Sequence, residues 1–514
     1  MKLIVKLLLP CLVFLSSCWG TANKHQGKSS LDADFSPIAA DIFTNPNSFY
    51  YIDFSKYDVP NSSMPIGIFD SGTGGLTVLD ALVRFDQNIN HGHENKPDGL
   101  ADFKNEEFIY LADQANMPYG NYYSENKSDL LIEHIIKDAQ FLLGEKYYRS
   151  NLDKNYMSDK KRIKALVIAC NTATAYGQEE VDEFIERTGI DVPVIGVINA
   201  GARGALASLG KEENGAIGVF ATVGTIKSKG YENTLLKMKQ ELGYTGNLQI
   251  YNQGGHGVAE AVDEEPDFIS RSSTNPRKDY RGPSLDSGQF KIDKALMDVY
   301  NFDFDQSKML CDEKNMDDCQ ILQINSTDNY IRYHLVSLME KIRADKDALP
   351  LKVLLLGCTH YPYLISDIKK VLGELYDYKR EGEYLYRKLM AKDVILIDPA
   401  EFVAKELYEV LDNKGLISEE GSITNSEFFI SVPNLDNKSV EVDEQGRFTY
   451  NYKYGRNAGE IQEYVKVVPF SRNNISDDVI SRFKSSIPKT FELIQSFNAK
   501  SKKVEGLPVT ERIK

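Results

Sequence analysis

Between residues 66 and 411, short apolar runs alternate with amphipathic segments, and these two periods predict alternating strands and helices. Ile66–Phe69, Phe108–Ala112, Ala165–Ala169, Val192–Val197, Ala216–Ala221, Leu248–Tyr251, the run from Val353 and Val394–Ile397 read as strands. Several are apolar without alternation, as strands covered on both faces are. Between them, Leu76, Leu79 and Leu82 recur at helical spacing, and 129–143 is amphipathic. Val181, Phe184 and Ile185 mark one face of a helix that Gly189 ends. Further helices are expected over 229–242, closed by Gly243, over 330–343, over 361–372, and over 399–411 with Pro399 in its first turn. The rhythm predicts an α/β fold with mostly parallel sheets and short strand-to-helix loops.

Other stretches break the rhythm. Residues 91–105 and 376–390 read as polar insertions, and 146–162 as a surface excursion. Asn199-Ala-Gly-Ala-Arg-Gly-Ala-Leu206 reads as the hinge into a second unit. From 265 to about 325 there is little periodicity, and a long insertion is expected. In the tail, 428–432 and 447–452 alternate and predict an antiparallel pair, and 477–497 predicts a closing helix.

The first residues change the picture. Lys2 and Lys6 precede an apolar core, Leu7–Leu15, shorter than a spanning helix needs. Leu15-Ser16-Ser17-Cys18 follows and resembles the lipobox of bacterial lipoproteins, in which Cys18 would take the lipid. An ordinary secretory signal or an uncleaved anchor is the alternative. Residues 1–18 are therefore expected to be a signal peptide with its lipobox. Residues 19–63 are expected to be a tether, partly ordered by Phe49–Ile52.

A hydrophobic content of 42% and a charged content of 26% are those of a globular chain. The 75 acidic against 60 basic residues leave a formal charge of −15, and no basic run points to nucleic acid. Of the six cysteines, Cys11 leaves with a cleaved signal and Cys18 takes the lipid. Cys311 and Cys319 lie close together in a polar segment. Export would permit a disulfide between them, with two free surface thiols as the alternative.

The last two cysteines carry the chemistry. Ala165–Ala169 ends in Cys170-Asn171-Thr172, and Val353–Leu356 ends in Gly357-Cys358-Thr359-His360. Sites in α/β proteins lie outside the carboxyl ends of strands. Two such thiols, one on each face of a small substrate, could act as thiolate base and thiol acid, since a thiol's ordinary pKa is near 8.5. That symmetry suits racemisation at an α-carbon, with neighbours tuning each sulfur and donors holding the substrate carboxylate. His360 is placed to serve Cys358, and Asp70, at the end of another strand, could face Cys170. Asn171, Thr172 and Thr359 are uncharged hydrogen-bonding groups suited to an α-carboxylate and α-amino group. A buried Cys is more often a small hydrophobe, and Asp70-Ser71 is also an ordinary helix start. No cysteine–histidine set has zinc spacing, so no metal is expected.

Four stretches together resemble the aspartate/glutamate racemase family, and its glutamate type in particular. They are Ile66-Gly-Ile-Phe-Asp70-Ser71-Gly-Thr-Gly-Gly75, Tyr110-Leu-Ala-Asp-Gln-Ala-Asn-Met-Pro-Tyr119-Gly120, Ala169-Cys170-Asn-Thr-Ala-Thr-Ala175 and Leu356-Gly-Cys358-Thr-His360-Tyr-Pro362. The resemblance covers about 64–412, outside the tether, the 265–325 segment and much of the tail. It implies two pseudo-symmetric α/β domains with the site between them. Residues 64–198 with about 395–514, including a C-terminal extension, would form the first, and 199–394 the second. It implies an amino-acid substrate, no cofactor, and Cys170 and Cys358 as the two acid/base residues. Asp70 and His360 would support them, and Glu260 would match the family's supporting Glu. Asp70, Ser71, Tyr119, Gly120, Asn171, Thr172, Thr359 and His360 would bind substrate, and a homodimer is left open.

The expected activity is interconversion of L- and D-glutamate, tied to peptidoglycan and D-amino-acid metabolism. The leader places it instead in the cell envelope, lipid-anchored. A racemase of altered specificity is one alternative, and a non-catalytic binder of acidic amino acids or cell-wall fragments is another.

Overall fold

A computed structural model describes residues 36–88, 96–262, 264–313 and 318–514. The expected signal peptide and lipobox at 1–18, Cys18 included, and residues 19–35 lie outside the described residues. Among the described residues no helix is long and apolar enough to cross a membrane.

In chain order the strands are β1 (Ile66–Asp70), β2 (Phe108–Ala112), β3 (Ala165–Ile168), β4 (Val194–Gly196), β5 (Gly215–Ala221) and β6 (Leu248–Gly254). Then come two short strands, β7 (Met309–Cys311) and β8 (Leu322–Ile324), and β9 (Leu351–Gly357). They are followed by β10 (Lys379–Arg380), β11 (Glu383–Tyr384), β12 (Met390–Ile397), β13 (Glu427–Pro433) and β14 (Val465–Pro469). One sheet has the order β14-β13-β2-β1-β3-β4 and the other β12-β9-β5-β6. Pairing is parallel throughout both, except between β13 and β14. Every residue of β1, β2, β3 and β5 is buried, which explains their unbroken apolar runs.

The two sheets repeat one arrangement. In the first, β1 is hydrogen-bonded to β3, so the chain leaving β1 at Asp70 comes out beside the chain leaving β3 at Cys170. In the second, β5 is hydrogen-bonded to β9, so Thr222 comes out beside Cys358. Parallel pairing therefore sets the position of each thiol.

Four expectations are corrected. Residues 36–63 are not a tether. The helix Pro37–Thr44 buries Ile38 and Ile42, Tyr50 and Ile52 are buried as well, and Lys146 Nζ donates to the carbonyls of Ser48 and Phe49. The polar composition hid an i,i+4 apolar pair that docks on the first sheet's helices.

The stretch 199–206 is not a hinge but the middle of a buried helix, Val197–Ala207. Its small residues serve close packing: a Cβ on Gly204 would come within 2.5 Å of the Phe402 ring. Phe402 lies on Pro399–Asn413, the helix that follows β12.

In the tail, β13 pairs with β2 and β14, and 447–452 leads into a helix, Tyr450–Gly455, capped by Thr449 Oγ1. Phe448 and Tyr452 are buried at i,i+4 spacing while Tyr450 is 58% exposed, so the period there is helical. The closing helix is two, Asp477–Ser486 and Pro488–Lys500. Pro488 cannot continue a helix through its own amide and so begins the second.

The 265–325 segment has little regular structure, as expected. Asn325 Nδ2 donates to the carbonyls of Ser270 and Ser307, and a disulfide joins Cys311 to Cys319 beside the β7–β8 pair.

Candidate active site

Cys170 follows β3 and caps the helix Asn171–Thr188, its sulfur accepting from the amide of Ala173 at 3.4 Å. The thiol donates to Ser71 Oγ at 3.6 Å. Burial pushes the Cys170 thiol well above its ordinary range, and the Asp70 carboxylate pushes it further. Asp70 ends β1. Its Oδ2 accepts from the amides of Gly75 at 2.8 Å and Gly72 at 3.3 Å. Burial raises its pKa, while those amides, the His360 charge and the Cys170 thiol oppose the rise. The carboxylate is thus clamped by the turn behind it and faces the sulfur.

Cys358 follows β9, and its sulfur lies 3.7 Å from Nδ1 of His360. Cys170 and Cys358 are both buried and both free. The two strand ends meet through the glycine turn. A Cβ on Gly74 would lie 2.6 Å from Thr359 Oγ1, 3.0 Å from His360 Cε1 and 3.6 Å from Asp70 Oδ2. Only a residue without a side chain lets the β1 turn seat against the β9 turn here. Thr77 Oγ1 joins the same contact, lying 3.3 Å from the carbonyl of Thr359. Asp70, Ser71, Cys170, Cys358, Thr359 and His360 are therefore brought together, acid beside one thiol and imidazole beside the other.

Asn171 and Thr172 start the helix after Cys170 and are 7% exposed. Asn171 Oδ1 accepts from the Tyr231 hydroxyl at 2.6 Å. Sequence reasoning missed Tyr231, whose ring packs against Gly357, the residue before Cys358. It missed Thr77 and Gly74 as cross-contacts for the same reason: their partners lie hundreds of positions away.

Two expected residues behave differently. The Tyr119 side chain is 1% exposed, and its hydroxyl lies 2.6 Å from Asp113 Oδ2 and 2.6 Å from Asp138 Oδ2. The phenol thus points inward beside the first sheet, toward Asp113 and Asp138, and the backbone of Tyr119–Gly120 is what the turn has left to present. Gly120 packs on Gly224, whose added Cβ would lie 2.9 Å from Gly120 Cα. Glu260 lies on the short helix Val258–Val262, and its charge acts on Tyr330 and Tyr361. Among the described residues no hydrogen bond links its side chain to either thiol. His256 stacks on Phe290 at 4.0 Å and its Nε2 meets the Arg281 carbonyl at 2.7 Å, which anchors the insertion.

Cys311, Asp312 and Cys319 form the one cluster of metal-ligand type among the described residues, and the disulfide occupies both sulfurs.

No family model matches the chain. It is similar to the glutamate racemase of Enterococcus faecalis, with 39% identity over 167 residues, 32% of this chain and 45% of that one. Longer matches reach the glutamate racemases of Oceanobacillus iheyensis, at 26% identity over 71% of this chain and 85% of the relative. That of Thermoanaerobacter pseudethanolicus matches at 27% identity over 72% and 88%. Among solved structures, glutamate racemase isoform RacE1 from Bacillus anthracis matches with a TM-score of 0.41 and 24% identity, over 72% of this chain and 88% of that one. Glutamate racemase from Francisella tularensis in complex with D-glutamate matches with a TM-score of 0.39 and 20% identity, over 77% and 95%.

Proposed function

We propose that the chain is a member of the aspartate/glutamate racemase family and racemises glutamate without a cofactor, through Cys170 and Cys358, a reading supported by its similarity to glutamate racemases along most of their length. The observation that carries this reading is the pairing of two free, buried thiols with unlike partners, Asp70 for Cys170 and His360 for Cys358.

The asymmetry assigns resting roles. Burial and Asp70 keep the Cys170 thiol protonated. The imidazole of His360, 3.7 Å from Cys358, is the neighbouring base placed to accept that sulfur's proton when Cys358 acts as the base. The Cys358 thiolate then removes the α-proton from one face of the amino acid, and the Cys170 thiol delivers its own proton to the other. Turnover in the opposite sense exchanges the two roles. The amide and hydroxyls of Asn171, Thr172 and Thr359 are the uncharged groups that hold the α-carboxylate and α-amino group while charge develops.

The reading of residues 1–18 as a lipoprotein leader stands beside this one. It is supported by Leu15-Ser16-Ser17-Cys18 and by the Cys311–Cys319 disulfide, a bond that persists in oxidising compartments. On this reading the enzyme acts in the cell envelope on an exported or scavenged amino-acid pool. Mass spectrometry of the N-terminus tests it: a lipidated Cys18 is expected, and an unmodified Met1 overturns it.

Chiral chromatography of the purified protein with L-glutamate and, separately, L-aspartate tests the activity. D-glutamate is expected to accumulate to an equal mixture. Accumulation of D-aspartate alone would reassign the substrate.

A further inference from the structure

Beneath the Pro118-Tyr119-Gly120 turn is a hydrogen-bond chain that the reaction scheme does not use. The Tyr119 oxygen lies 2.6 Å from a carboxylate oxygen of Asp113 and 2.6 Å from one of Asp138. Contacts that short between oxygens each need a proton. A phenol has one, so one of the two carboxyl groups must supply the other.

The surroundings say which. Asp113 accepts from Ser431 Oγ at 2.6 Å and from Asn116 Nδ2 at 3.1 and 3.0 Å, besides Tyr119. Arg456, from the C-terminal extension, donates to Asn116 Oδ1 at 3.2 Å, and its charge favours the Asp113 carboxylate. Burial raises the Asp113 pKa, but its donors and the Arg456 charge oppose that rise, so of the two carboxyl groups Asp113 is the one whose surroundings favour the ionised form. Asp138 is 5% exposed, and among the described residues its one hydrogen-bond partner is Tyr119. The charges facing it are Asp113 from the end of β2, Asp70 from the end of β1, and Lys137 on its own helix. The lysine is engaged with Glu133 at 2.7 Å. His134, Tyr50 and Tyr464 line the adjoining internal cavity.

We propose that Asp138 is held as a neutral carboxylic acid that donates to the Tyr119 oxygen, so that Tyr119 in turn donates to Asp113. Asp138 is then a positioning residue for the racemase site. It fixes the phenol inward and with it the turn whose backbone faces the substrate. Arg456, Asn116 and Ser431 hold the other end of the chain, which makes the C-terminal extension part of the active-site scaffold. The functional half of this inference rests on the proposed racemase activity, and the protonation half does not.

The test combines Asp138→Asn, Asp138→Ala and Asp113→Asn with infrared spectroscopy of the full chain. An amide mimics a neutral acid as donor. Asp138→Ala is expected to raise KM for glutamate at least tenfold, with kcat changed less. Asp138→Asn is expected to restore KM to within about threefold of the parent. Asp113→Asn puts an NH2 among three donor groups and is expected to lose activity as Asp138→Ala does. A carboxylic-acid carbonyl band present at neutral pH in the parent should vanish in Asp138→Asn. Absence of such a difference band overturns the proposal, as does Asp138→Asn failing like Asp138→Ala. A band difference in a protein that racemises nothing would leave the protonation standing and remove the functional reading alone.

Discussion

The Tyr231 hydroxyl donates to Oδ1 of Asn171 at 2.6 Å, across the boundary between the two sheets. Asn171 directly follows Cys170, and the Tyr231 ring packs on Gly357, directly before Cys358. One side chain thus touches the neighbour of each thiol. It fixes the Asn171 amide so that the NH2 group is left to serve as a donor in the site. Tyr231→Phe removes only this bond. Since a hydrogen bond of this kind contributes about 0.5–1.5 kcal/mol, kcat/KM for glutamate should fall roughly 2- to 10-fold. Steady-state kinetics in both directions check it, with circular dichroism showing an intact fold.

The thiols should be individually indispensable. A positioned acid or base contributes about 10²–10⁴-fold, so Cys170→Ser and Cys358→Ser should each lower kcat by that order. His360→Asn should act through Cys358 and shift the pH profile of kcat/KM, whereas Cys311→Ser should leave that profile in place. Initial rates across a pH series separate these cases.

A buried histidine away from the thiols sets a pH limit on stability. His334 is fully buried, with Nε2 against the His256 carbonyl and Nδ1 against the Gln253 amide, both at 3.0 Å. Burial holds its pKa down to about 3. Between that value and the ordinary pKa near 6.5, the unfolded chain binds a proton that the folded chain refuses. Its contribution is therefore complete above about pH 6.5 and is lost as pH falls, by up to about 1.4 kcal/mol per pH unit. Denaturant midpoints should drop over this window, and His334→Gln should show a shallower slope.

The helix pair joining the two sheets should tolerate no added carbon. Gly204→Ala would drive a methyl group into the Phe402 ring. Overpacking of this kind costs about 1–3 kcal/mol. A lower thermal midpoint is expected, together with a higher KM, because the same helices set how the two thiol-bearing strands face each other. Phe402→Leu in the Gly204→Ala background should recover part of both.

Much of the fold could be read from local pattern. Strands buried on both faces leave apolar runs, and a polar tripeptide at the end of each marked Cys170 and Cys358 before any contact was known. The misreadings share one cause. Gly201 and Gly204 looked flexible because their partners, Pro399 and Phe402, lie about two hundred positions away. Ile38 and Ile42 were lost in a polar composition although they dock as a pair. In the candidate site, the residues proposed to carry the chemistry sit at strand ends and were legible. Tyr231, Asp138 and Arg456 support them only through long-range packing, and no spacing along the chain encodes that. Tyr119 was legible as a position, but the direction of its phenol depends on Asp113 and Asp138 beneath it.

The central claim is that two opposed thiols exchange the α-proton of an acidic amino acid with solvent. Incubation of the reduced protein with L-glutamate in D2O, followed by NMR of the α-position, reads this directly. The account predicts that deuterium enters the α-position as D-glutamate forms, and that Cys170→Ser and Cys358→Ser each form the D-enantiomer about 10²–10⁴-fold more slowly. Retention of the α-proton by the parent protein, with glutamate bound, would contradict it and leave a binding protein in its place.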